Sequence, residues 1–251
     1  MDLTTATGKV ALITGASRRI GRATALQLAD RGADLVIHAK NSRDEAEAVA
    51  EEVRGRGRRA LVHMADVTDE QAVAAMMDDI RATFGRLDIL VNSASVRRHE
   101  AFLKMSLAEW REILAVILDG AFLCSRAALP LMIAGGGGAI VNIGGVTAHV
   151  GAMKRAHVCT AKAGLIGLTK ALALEFAASN VRVNCVVPGK IGGERSATSG
   201  RGLASDEGNR PLLGRMGEVD EVAAIIVAMC LPMSGYMTGQ TVHVSGGMYL
   251  P

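Results

Sequence analysis

The sequence predicts an α/β fold, a single doubly wound domain whose seven-stranded parallel sheet is flanked by helices. Short apolar runs typical of buried strands alternate with segments of helical apolar spacing almost to the end of the chain. The 251 residues are 49% hydrophobic but only 3% aromatic, so small aliphatic side chains would pack helices against the sheet. No shift in composition divides residues 1–251, which indicates one domain.

Each element follows from this alternation. The predicted strands are short runs rich in Val, Ile and Leu at residues 10–13, 34–38, 59–64, 88–91, 139–143, 181–186 and 240–244. The predicted helices repeat apolar residues every three to four positions at residues 20–31, 42–54, 70–84, 107–133, 157–178 and 218–231. Because parallel neighbours need right-handed crossovers, these helices should cover both faces of the sheet.

One stretch, residues 192–210, has no periodicity and is rich in Gly, Ser and charged residues. A loop of that length in a compact domain is typical of a lid or a binding element. The sequence therefore predicts a specificity loop at about 192–210.

Composition excludes several other classes of protein. The net charge is only +3 and aromatic-basic interleaving is absent, so we expect no nucleic-acid partner. The four cysteines are far apart and form no metal-spaced cluster, which predicts no metal site and a reducing cytoplasm: Cys124, Cys159, Cys185 and Cys230. A leader pattern is absent and the apolar run 222–231 is too short to span a bilayer, so we expect no membrane partner.

A glycine-rich turn follows the first predicted strand and opens the first predicted helix. It contains Gly15, Ser17, Arg18, Arg19, Ile20 and Gly21. The free backbone N–H groups and the dipole at such a helix start favour a pyrophosphate. The alternative for this motif alone is an ordinary strand-to-helix turn.

Three further motifs end predicted strands, at the edge where an open α/β sheet binds its ligand. They are Asp66-Val67 after the third strand, Asn92-Ser93-Ala94 after the fourth, and Pro188-Gly189-Lys190-Ile191 after the sixth. In order and spacing, these segments and the glycine turn resemble the short-chain dehydrogenase/reductase family. The resemblance covers essentially the whole chain, up to Ser245-Gly246-Gly247, and implies a Rossmann domain that binds a nicotinamide cofactor.

The resemblance also implies a role for each motif. Asp66 would hydrogen-bond the adenine amine and the Val67 backbone would line that pocket. Asn92, Ser93 and Ala94 would lie near the adenosine ribose. Pro188, Gly189 and Ile191 would flank the nicotinamide, and Lys162 would hold the hydroxyls of its ribose.

Basic residues favour NADP(H) over NAD(H) as the cofactor. Arg18 lies where NADPH-using members carry an arginine for the 2′-phosphate, and Arg19 replaces a glycine as in the family's pteridine reductases. After the second strand, an NAD enzyme needs an acidic residue for the ribose hydroxyls. This chain instead has Ala39 followed by Lys40, Asn41 and Ser42. The alternative is that these cations are only solvated surface charges.

The residues expected to transfer a proton are missing, except for one. In the family, Ser, Tyr, Lys and Asn polarise the substrate oxygen and deliver its proton. Laid on that pattern, the serine position is Gly145, the tyrosine position is Val158 and the asparagine position is Ile117. Only Lys162 remains, and no shift of register places a tyrosine in this segment.

Other side chains nearby are candidates for the proton donor: Ser95, Thr147, His149, Lys154, His157 and Cys159. A histidine titrates near neutral pH and could replace a phenol, although His157 is more typical of a first-turn structural residue. Thr147 lies where the family's dienoyl-CoA reductases carry a displaced tyrosine.

These observations predict an NADP(H)-dependent oxidoreductase that acts on a small carbonyl, imine or conjugated alkene through a non-standard proton path. A catalytically inactive cofactor-binding homologue, a sensor or a non-catalytic subunit, is the alternative. A dienoyl-CoA-reductase-like enzyme, or a lyase or isomerase on the same scaffold, is a further possibility. By resemblance, the helices predicted at 107–133 and 157–178 would form a homotetramer.

Overall fold

The structure is a computed structural model that describes residues 2–192 and 210–251. Its strands are β1 (Val10–Ile13), β2 (Asp34–Ala39), β3 (Ala60–Met64), β4 (Ile89–Asn92), β5 (Gly138–Ile143), β6 (Val181–Pro188) and β7 (Thr241–Val244). They form one seven-stranded sheet in the order β3-β2-β1-β4-β5-β6-β7, and every neighbouring pair is parallel. The predicted α/β fold of Rossmann type is confirmed.

The helices between these strands are α1 (Arg19–Asp30), α2 (Arg43–Gly55), α3 (Glu70–Phe84), α4 (Leu107–Leu114), α5 (Gly120–Ala134), α6 (Thr147–Val150), α7 (Ala156–Phe176) and α8 (Val219–Cys230). Nearby side chains cap the N-termini of several of these helices. Asp69 caps α3 by accepting the N–H groups of Gln71 and Ala72, and Ser106 caps α4 through the N–H of Glu109. Glu218 and Glu221 form a capping box at the start of α8.

The single helix predicted at 107–133 is interrupted. A π-helical turn, Ala115–Asp119, lies between α4 and α5. A π turn adds a residue to the helix and changes which side chains face the neighbouring α7. Periodicity alone could not predict it, because the apolar pattern continues through the turn.

The stretch Leu107–Ala134 is long and apolar enough to cross a membrane, unlike the shorter apolar run 222–231. Half of its most apolar window is buried inside the protein. Buried core helices share this composition, and here α4 packs on α7 while α5 packs on α3 and the central strands. It is therefore a core helix of the Rossmann fold.

The alternation of side chains along β1 builds two cores. Ala11 and Ile13 pack in a cluster with α1, α2 and α8 on one face of the sheet. Val10 and Leu12 pack with α3 and α5 on the other face. This is why the central strands are apolar on both faces, as parallel sheets require.

Besides the π turn, the structure differs from the sequence-based expectation in the exact bounds of several elements and in one additional helix. Strand β6 runs two residues further than expected, to Pro188, and β4 is shifted by one residue. The short helix α6 was not predicted, since four residues give no periodicity. The predicted specificity loop, apart from residues 192 and 210 at its ends, lies outside the described residues.

A buried chain of hydrogen bonds joins α7 to the centre of the sheet. The Asn92 amide donates to Asn142 Oδ1 at 2.9 Å, and the Asn142 amide donates to Thr169 Oγ1 at 2.9 Å. The Thr169 hydroxyl donates to the Leu165 carbonyl at 2.7 Å. These hydrogen bonds fix the position of α7 relative to strands β4 and β5.

We expect Thr169→Val to destabilise the protein by about 1–3 kcal/mol, because the buried Asn142 amide loses its acceptor. Thr160 is an exposed threonine on the same helix, so Thr160→Val is the matched control and should change stability by less than about 0.5 kcal/mol. Denaturant unfolding of both variants measures the difference. Equal free energies of unfolding for the two variants would show that the buried hydrogen bonds of Thr169 do not stabilise the protein.

Candidate cofactor and active site

The carboxyl ends of the strands meet at one edge of the sheet, where the predicted site residues lie. Strands β1 and β4 are neighbours in space but distant in sequence, so the winding of the chain reverses between them. Open α/β sheets bind ligands at such a switch point. The glycine turn after β1, Asp66 after β3, Asn92 ending β4 and Pro188 ending β6 therefore border one cleft.

The glycine turn approaches its neighbours too closely to accept side chains. Gly15 has a φ of +65°, and a Cβ there would lie 3.0 Å from Ala94 Cα. A Cβ on Gly21, in the first turn of α1, would lie 2.3 Å from the Gly15 carbonyl oxygen. The turn thus presents bare backbone at the start of α1, the arrangement that binds a pyrophosphate.

Thr14 links the turn to the end of β4. Its hydroxyl oxygen accepts the N–H groups of Ser93 and Ala94, each at 3.0 Å. These bonds hold Ser93 and Ala94 against the turn, where the resemblance expects the adenosine ribose. Asn92 instead turns its side chain inward, where its amide also donates to Ser125 Oγ at 3.0 Å.

Arg19 is held in a conformation that favours glycine. Its φ is 50°, in the left-handed region, which costs a non-glycine residue about 1–2 kcal/mol. Its guanidinium donates to the carbonyl oxygens of Gly192 at 3.0 Å and Ile191 at 3.4 Å. Arg19 therefore spans the cleft from the glycine turn to the segment that follows β6.

His38 lies between the glycine turn and the end of β3 and was not predicted from the sequence. Its Nδ1 accepts the Gly15 N–H at 3.2 Å, so the ring proton lies on Nε2, which is 3.0 Å from the Ala65 carbonyl. Burial lowers the pKa of His38 to about 4, so the ring is neutral at physiological pH. One neutral side chain thus joins the glycine turn to the end of β3.

Asp66 lies at the place where the resemblance expects the adenine. Its Oδ1 accepts the Thr68 N–H at 3.0 Å and the Thr68 hydroxyl at 2.8 Å, and Lys40 forms an ion pair with Oδ2. Burial alone would raise the pKa of Asp66, but the Lys40 and Thr68 hydrogen bonds lower it below its ordinary value. Lys40 therefore points toward Asp66, although its charge was expected to serve a 2′-phosphate.

Arg18 and Ser42 meet at the corner where a 2′-phosphate would lie. The Arg18 guanidinium donates to Ser42 Oγ at 2.9 Å and pairs with Glu45 at 2.8 Å. Ala39 leaves this corner without an acid on the strand itself. Lys40 and Asn41 are both exposed beside it. The residues present fit a phosphate that takes the place of the Glu45 carboxylate on Arg18.

A cavity of about 260 Å³ opens between the glycine turn and the segment that follows β6. Ile20 forms part of its wall at the glycine turn, and Pro188, Gly189 and Ile191 form the wall after β6. The Gly189 N–H donates to the Val244 carbonyl at 3.0 Å, which ties this segment to β7. The contact of this segment with a nicotinamide stays a prediction.

Lys162 extends from α7 into this cavity. Its Nζ donates to the Ile143 carbonyl at 2.5 Å, and the residue is almost fully buried. Burial, followed by the charge of Arg97, lowers the pKa of Lys162 to about 7. The amine can therefore gain or lose a proton near neutral pH.

The positions aligned with the family's other proton-transfer residues are apolar and adjacent. Gly145 and Val158 line the cavity beside Lys162. Ile117 is 2% exposed and belongs with Val158, which is 5% exposed, to one hydrophobic cluster. A Cβ on Gly145 would lie 3.7 Å from both Lys162 Cγ and Thr147 Oγ1, so a larger residue fits there.

Of the alternative proton donors, only Thr147 lines this cavity. His149 packs against the rings of His243 and Tyr249, at 4.5 and 4.7 Å between centroids. His157 is fully buried, and its Nδ1 accepts the Val158 N–H at 2.9 Å. Ser95 and Lys154 are exposed, and Cys159 is half-buried outside the cavity wall.

Several residues of the cleft were missed by sequence reasoning. His38 sits in an otherwise apolar strand just before its end, and this was the available signal. Arg97 and Arg155 also line the cavity, but they lie in segments without a motif, so nothing in the sequence indicated them. Among the described residues, no group of three His, Cys, Asp or Glu side chains could hold a metal ion.

Comparison with known proteins agrees with this geometry. A family model described as Enoyl-(Acyl carrier protein) reductase matches residues 15–249. The 3-oxoacyl-(acyl-carrier-protein) reductase FabG of Staphylococcus aureus is 38% identical over 242 residues, which cover 96% of this chain and 98% of that protein.

Solved structures give the same result. A short-chain type dehydrogenase/reductase from Mycobacterium marinum is 37% identical, with a TM-score of 0.90 over 100% of this chain and 98% of the other. A gluconate 5-dehydrogenase from Burkholderia cenocepacia, in complex with NADP and tartrate, is 31% identical with a TM-score of 0.89. That alignment covers 98% of this chain and 97% of the other.

The fold and the glycine turn define the class: a Rossmann-type protein related to oxidoreductases that use NAD(P). The chain belongs to the short-chain dehydrogenase/reductase family. The family assignment made from the sequence is thus confirmed. The roles of individual site residues, and the loss of the family's serine, tyrosine and asparagine, stay predictions.

Arg19→Gly and Arg19→Ala should separate backbone strain from side-chain contacts. Both variants lose the guanidinium, but only glycine adopts the left-handed conformation without cost. We therefore expect the glycine variant to be more stable than the alanine variant by about 1 kcal/mol, the reverse of the usual order. Thermal or denaturant unfolding measures the difference, and a more stable alanine variant would contradict the strain.

His38 should make stability depend on pH. Its folded pKa of about 4 lies below the ordinary value, so the unfolded chain binds the proton first as the pH falls. The contribution of neutral His38 to the free energy of unfolding is fully present above about pH 6.5. It should fall by about 2 kcal/mol between pH 7 and pH 5. His38→Gln keeps a donor and an acceptor but cannot titrate here. Denaturant unfolding should therefore show a shallower pH dependence for the variant, and equal slopes would refute this role.

Proposed function

We propose that this protein is an NADP(H)-dependent oxidoreductase that transfers hydride to or from a small carbonyl, imine or conjugated alkene. The observation that supports it best is that one cleft combines a glycine turn, which presents bare backbone at the start of α1, with a cavity lined by Lys162. The homologous 3-oxoacyl-(acyl-carrier-protein) reductases and the NADP-bound gluconate 5-dehydrogenase act in the same reaction class.

The preference for NADP(H) over NAD(H) rests on the corner formed by Arg18 and Ser42. A guanidinium and a hydroxyl together suit the oxygens of a 2′-phosphate. Lys40, which pairs with Asp66, follows the same strand and is exposed. The turn from Gly15 through Ser17 to Gly21 would hold the pyrophosphate, and Asp66 and Val67 would line the adenine pocket.

Each residue near the cavity then has a defined task. The nicotinamide, when bound, supplies or accepts the hydride. Lys162 would donate hydrogen bonds to the ribose hydroxyls, and Pro188, Gly189 and Ile191 would fix the ring against one wall. Gly145 and Val158 would shape the space for the substrate without donating a proton.

The proton then has two possible sources on the described wall of the cavity. Thr147 contributes the one hydroxyl among the described lining side chains, and it can polarise a substrate oxygen. Lys162 is the group whose pKa, about 7, suits proton transfer at neutral pH. Both routes are weaker than a phenol beside the substrate. A substrate that needs little acid assistance, an imine or a conjugated alkene, therefore suits the site better than a simple ketone.

A catalytically inactive cofactor-binding homologue is the second candidate. It is favoured by the hydrophobic cluster that contains Val158 and Ile117, because neither side chain can donate a proton at the positions that the family uses for proton transfer. A dienoyl-CoA-reductase-like enzyme is a third candidate, supported by Thr147 at the position of the displaced tyrosine. The position of Thr147 on the cavity wall is compatible with it.

The proposal also covers the location and the oligomeric state of the protein. We expect a cytoplasmic homotetramer without nucleic-acid or membrane partners. Large apolar side chains are exposed on and next to the two long helices, at Phe102, Leu103, Leu107, Phe122 and Leu174. Exposed apolar surface of this kind is typical of subunit interfaces.

The proposal is tested by titrating NADPH into the protein and then screening substrates. Nicotinamide fluorescence measures binding, and loss of nicotinamide absorbance measures turnover of ketones, imines and enoyl compounds. Binding followed by turnover in at least one class supports the enzyme. Binding without turnover in all three classes would establish the inactive homologue instead, and no binding of NADPH or NADH would refute both.

Arg18→Ala should weaken NADPH binding by about tenfold or more and leave NADH binding nearly unchanged, because only NADPH carries the 2′-phosphate. The matched control is Arg22→Ala, which removes a nearby arginine in α1 that pairs with Glu52 at 2.7 Å. Fluorescence titration with NADPH and with NADH gives the ratio of the two dissociation constants for each variant. An equal loss for NADPH and NADH would contradict the assignment of this corner.

Restoring the missing groups should create ordinary carbonyl reduction. The cavity accepts a side chain at Gly145, so we expect Gly145→Ser with Val158→Tyr to raise kcat/KM for small ketones by about a hundredfold. Gly145→Ala with Val158→Phe adds similar bulk without hydroxyl groups and is the control. Equal activity of the two double variants would show that proton donors are not what the cavity lacks.

A further inference from the structure

Lys162 is a buried amine with open space beside its side chain. The residue is 6% exposed, and it lines the cavity of about 260 Å³. A Cβ placed on Gly145 would lie 3.7 Å from Lys162 Cγ and 3.7 Å from Thr147 Oγ1. The lysine stem and the threonine hydroxyl therefore border the same space, which glycine leaves unfilled.

The contact of the lysine nitrogen is compatible with a neutral amine. Lys162 Nζ donates to the Ile143 carbonyl at 2.5 Å. A backbone carbonyl accepts a hydrogen from an amine as well as from an ammonium group, and a neutral amine that donates one hydrogen keeps its lone pair. This lone pair is the nucleophile in reactions of lysine with carbonyl compounds.

Burial makes the neutral form accessible at physiological pH. Desolvation, followed by the charge of Arg97, lowers the pKa of Lys162 to about 7, although Cys185 acts in the opposite direction. At pH 7 about half of such an amine is neutral, compared with about one in 2,500 for a lysine of ordinary pKa. Lys162 therefore has many more reactive lone pairs than a lysine in water.

The other charged groups on the described wall of the cavity are Arg19, Arg97, Arg155 and Lys190. Each of them has interaction partners of its own. None of them is needed here as a ligand, because the reactive atom is the nitrogen of Lys162.

We propose that Lys162 is a nucleophile that forms an imine with a small aldehyde or ketone in this cavity. The amine nitrogen bonds to the carbonyl carbon while the π electron pair moves to the oxygen. One hydrogen then moves from nitrogen to oxygen and gives a carbinolamine. The C–O bond breaks next, and the oxygen leaves as water with the second amine hydrogen. The step needs neither an oxidant nor a reductant.

The residues around Lys162 suit this chemistry. Lysines that form Schiff bases are activated by desolvation in apolar pockets. Val158 is 5% exposed and lines the same cavity, and its side chain holds no proton to exchange with the amine. Thr147 contributes a hydroxyl that can hydrogen-bond the carbinolamine oxygen.

An imine makes possible a reaction that goes beyond hydride transfer. The protonated imine withdraws electrons from the adjacent carbon, so a hydrogen on that carbon leaves as a proton to water and another returns. Hydrolysis then releases the carbonyl compound and the free lysine. The predicted activity is the exchange of α-hydrogens in small ketones, and it requires no nucleotide.

Reductive trapping of the imine tests the proposal. The cofactor-free protein is incubated at pH 7 with butanal and cyanoborohydride, which supplies the hydride that fixes the imine as a butylamine, and peptide mass mapping locates the label. We expect Lys162 to be labelled about tenfold or more faster than Lys170, an exposed lysine of the same helix. Equal rates, or no label on Lys162, would overturn the proposal.

The pH dependence of labelling separates a neutral amine from a general reactivity. Nα-Acetyl-lysine in the same reaction is the standard, since its amine has an ordinary pKa. Between pH 7 and pH 9 the neutral fraction of Lys162 should about double while that of the standard rises about a hundredfold. The labelling ratio of Lys162 to the standard should therefore fall about fiftyfold. A constant ratio would show that Lys162 is not activated.

Variants assign the exchange activity to the lysine and its space. Exchange of butanone hydrogens in D2O is followed by NMR, and Lys162→Arg should abolish it because a guanidinium forms no such imine. Lys170→Arg is the matched control and should retain it. Gly145→Leu fills the open space and should slow butanal labelling of Lys162 about tenfold or more. Exchange that survives in Lys162→Arg, or unchanged labelling in Gly145→Leu, would refute the assignment.

The failure of this activity and the failure of the proposed oxidoreductase are distinguishable. Labelling of Lys162 in a protein that binds neither NADPH nor NADH would refute the oxidoreductase and retain the imine. Nucleotide binding with an unlabelled Lys162 would do the opposite. Thermal unfolding of Lys162→Arg and Gly145→Leu verifies that both variants are folded.

Discussion

The close approach of the glycine turn to the end of β4 is the constraint on which the rest of the site depends. The Gly15 backbone lies almost against Ala94, and no side chain fits between them. Thr14 and His38 hold this contact from two sides, one through the N–H groups after β4 and the other through the Gly15 N–H. Because β1 and β4 border the switch point of the sheet, this contact sets the width of the cleft.

The other half of the cleft is governed by burial. Lys162 is a buried amine whose Nζ donates to the Ile143 carbonyl, and Val158 lines the same cavity. In such an environment a charge interacts strongly with any group of opposite charge and is costly without one. An anionic substrate or a bound nucleotide would therefore interact with Lys162 more strongly than with an exposed lysine.

The sequence predicted the fold well because its physical signals were local and repeated. Alternating apolar runs define β1 through β7, and strand ends carry the ligand-binding motifs. The π turn at Ala115–Asp119 was not predictable, because it changes the helical phase without changing the apolar pattern. The helix α6 is too short to have a period.

The site was predicted only where a motif marks it. Arg18, assigned to a 2′-phosphate by resemblance, donates a hydrogen bond to Ser42, and its role in cofactor binding stays a prediction. Lys40 pairs with Asp66, which depends on the distance between β2 and β3 and on side-chain reach rather than on sequence order. Arg155 donates a hydrogen bond to His99 of a segment distant in sequence, and single sequences carry no signal for such contacts. Chemistry that depends on these contacts can be inferred only from the structure.

A structure of the protein with NADP⁺ bound tests the central claim most directly, that the chain holds the nucleotide but offers no phenol to the substrate. We expect Lys162 Nζ within about 3.2 Å of the ribose hydroxyls and the 2′-phosphate on Arg18 and Ser42. The space over the nicotinamide should be bordered by Gly145, Thr147 and Val158. A nucleotide bound elsewhere, or a tyrosine hydroxyl or a carboxyl group within hydrogen-bonding distance of that space, would contradict the account.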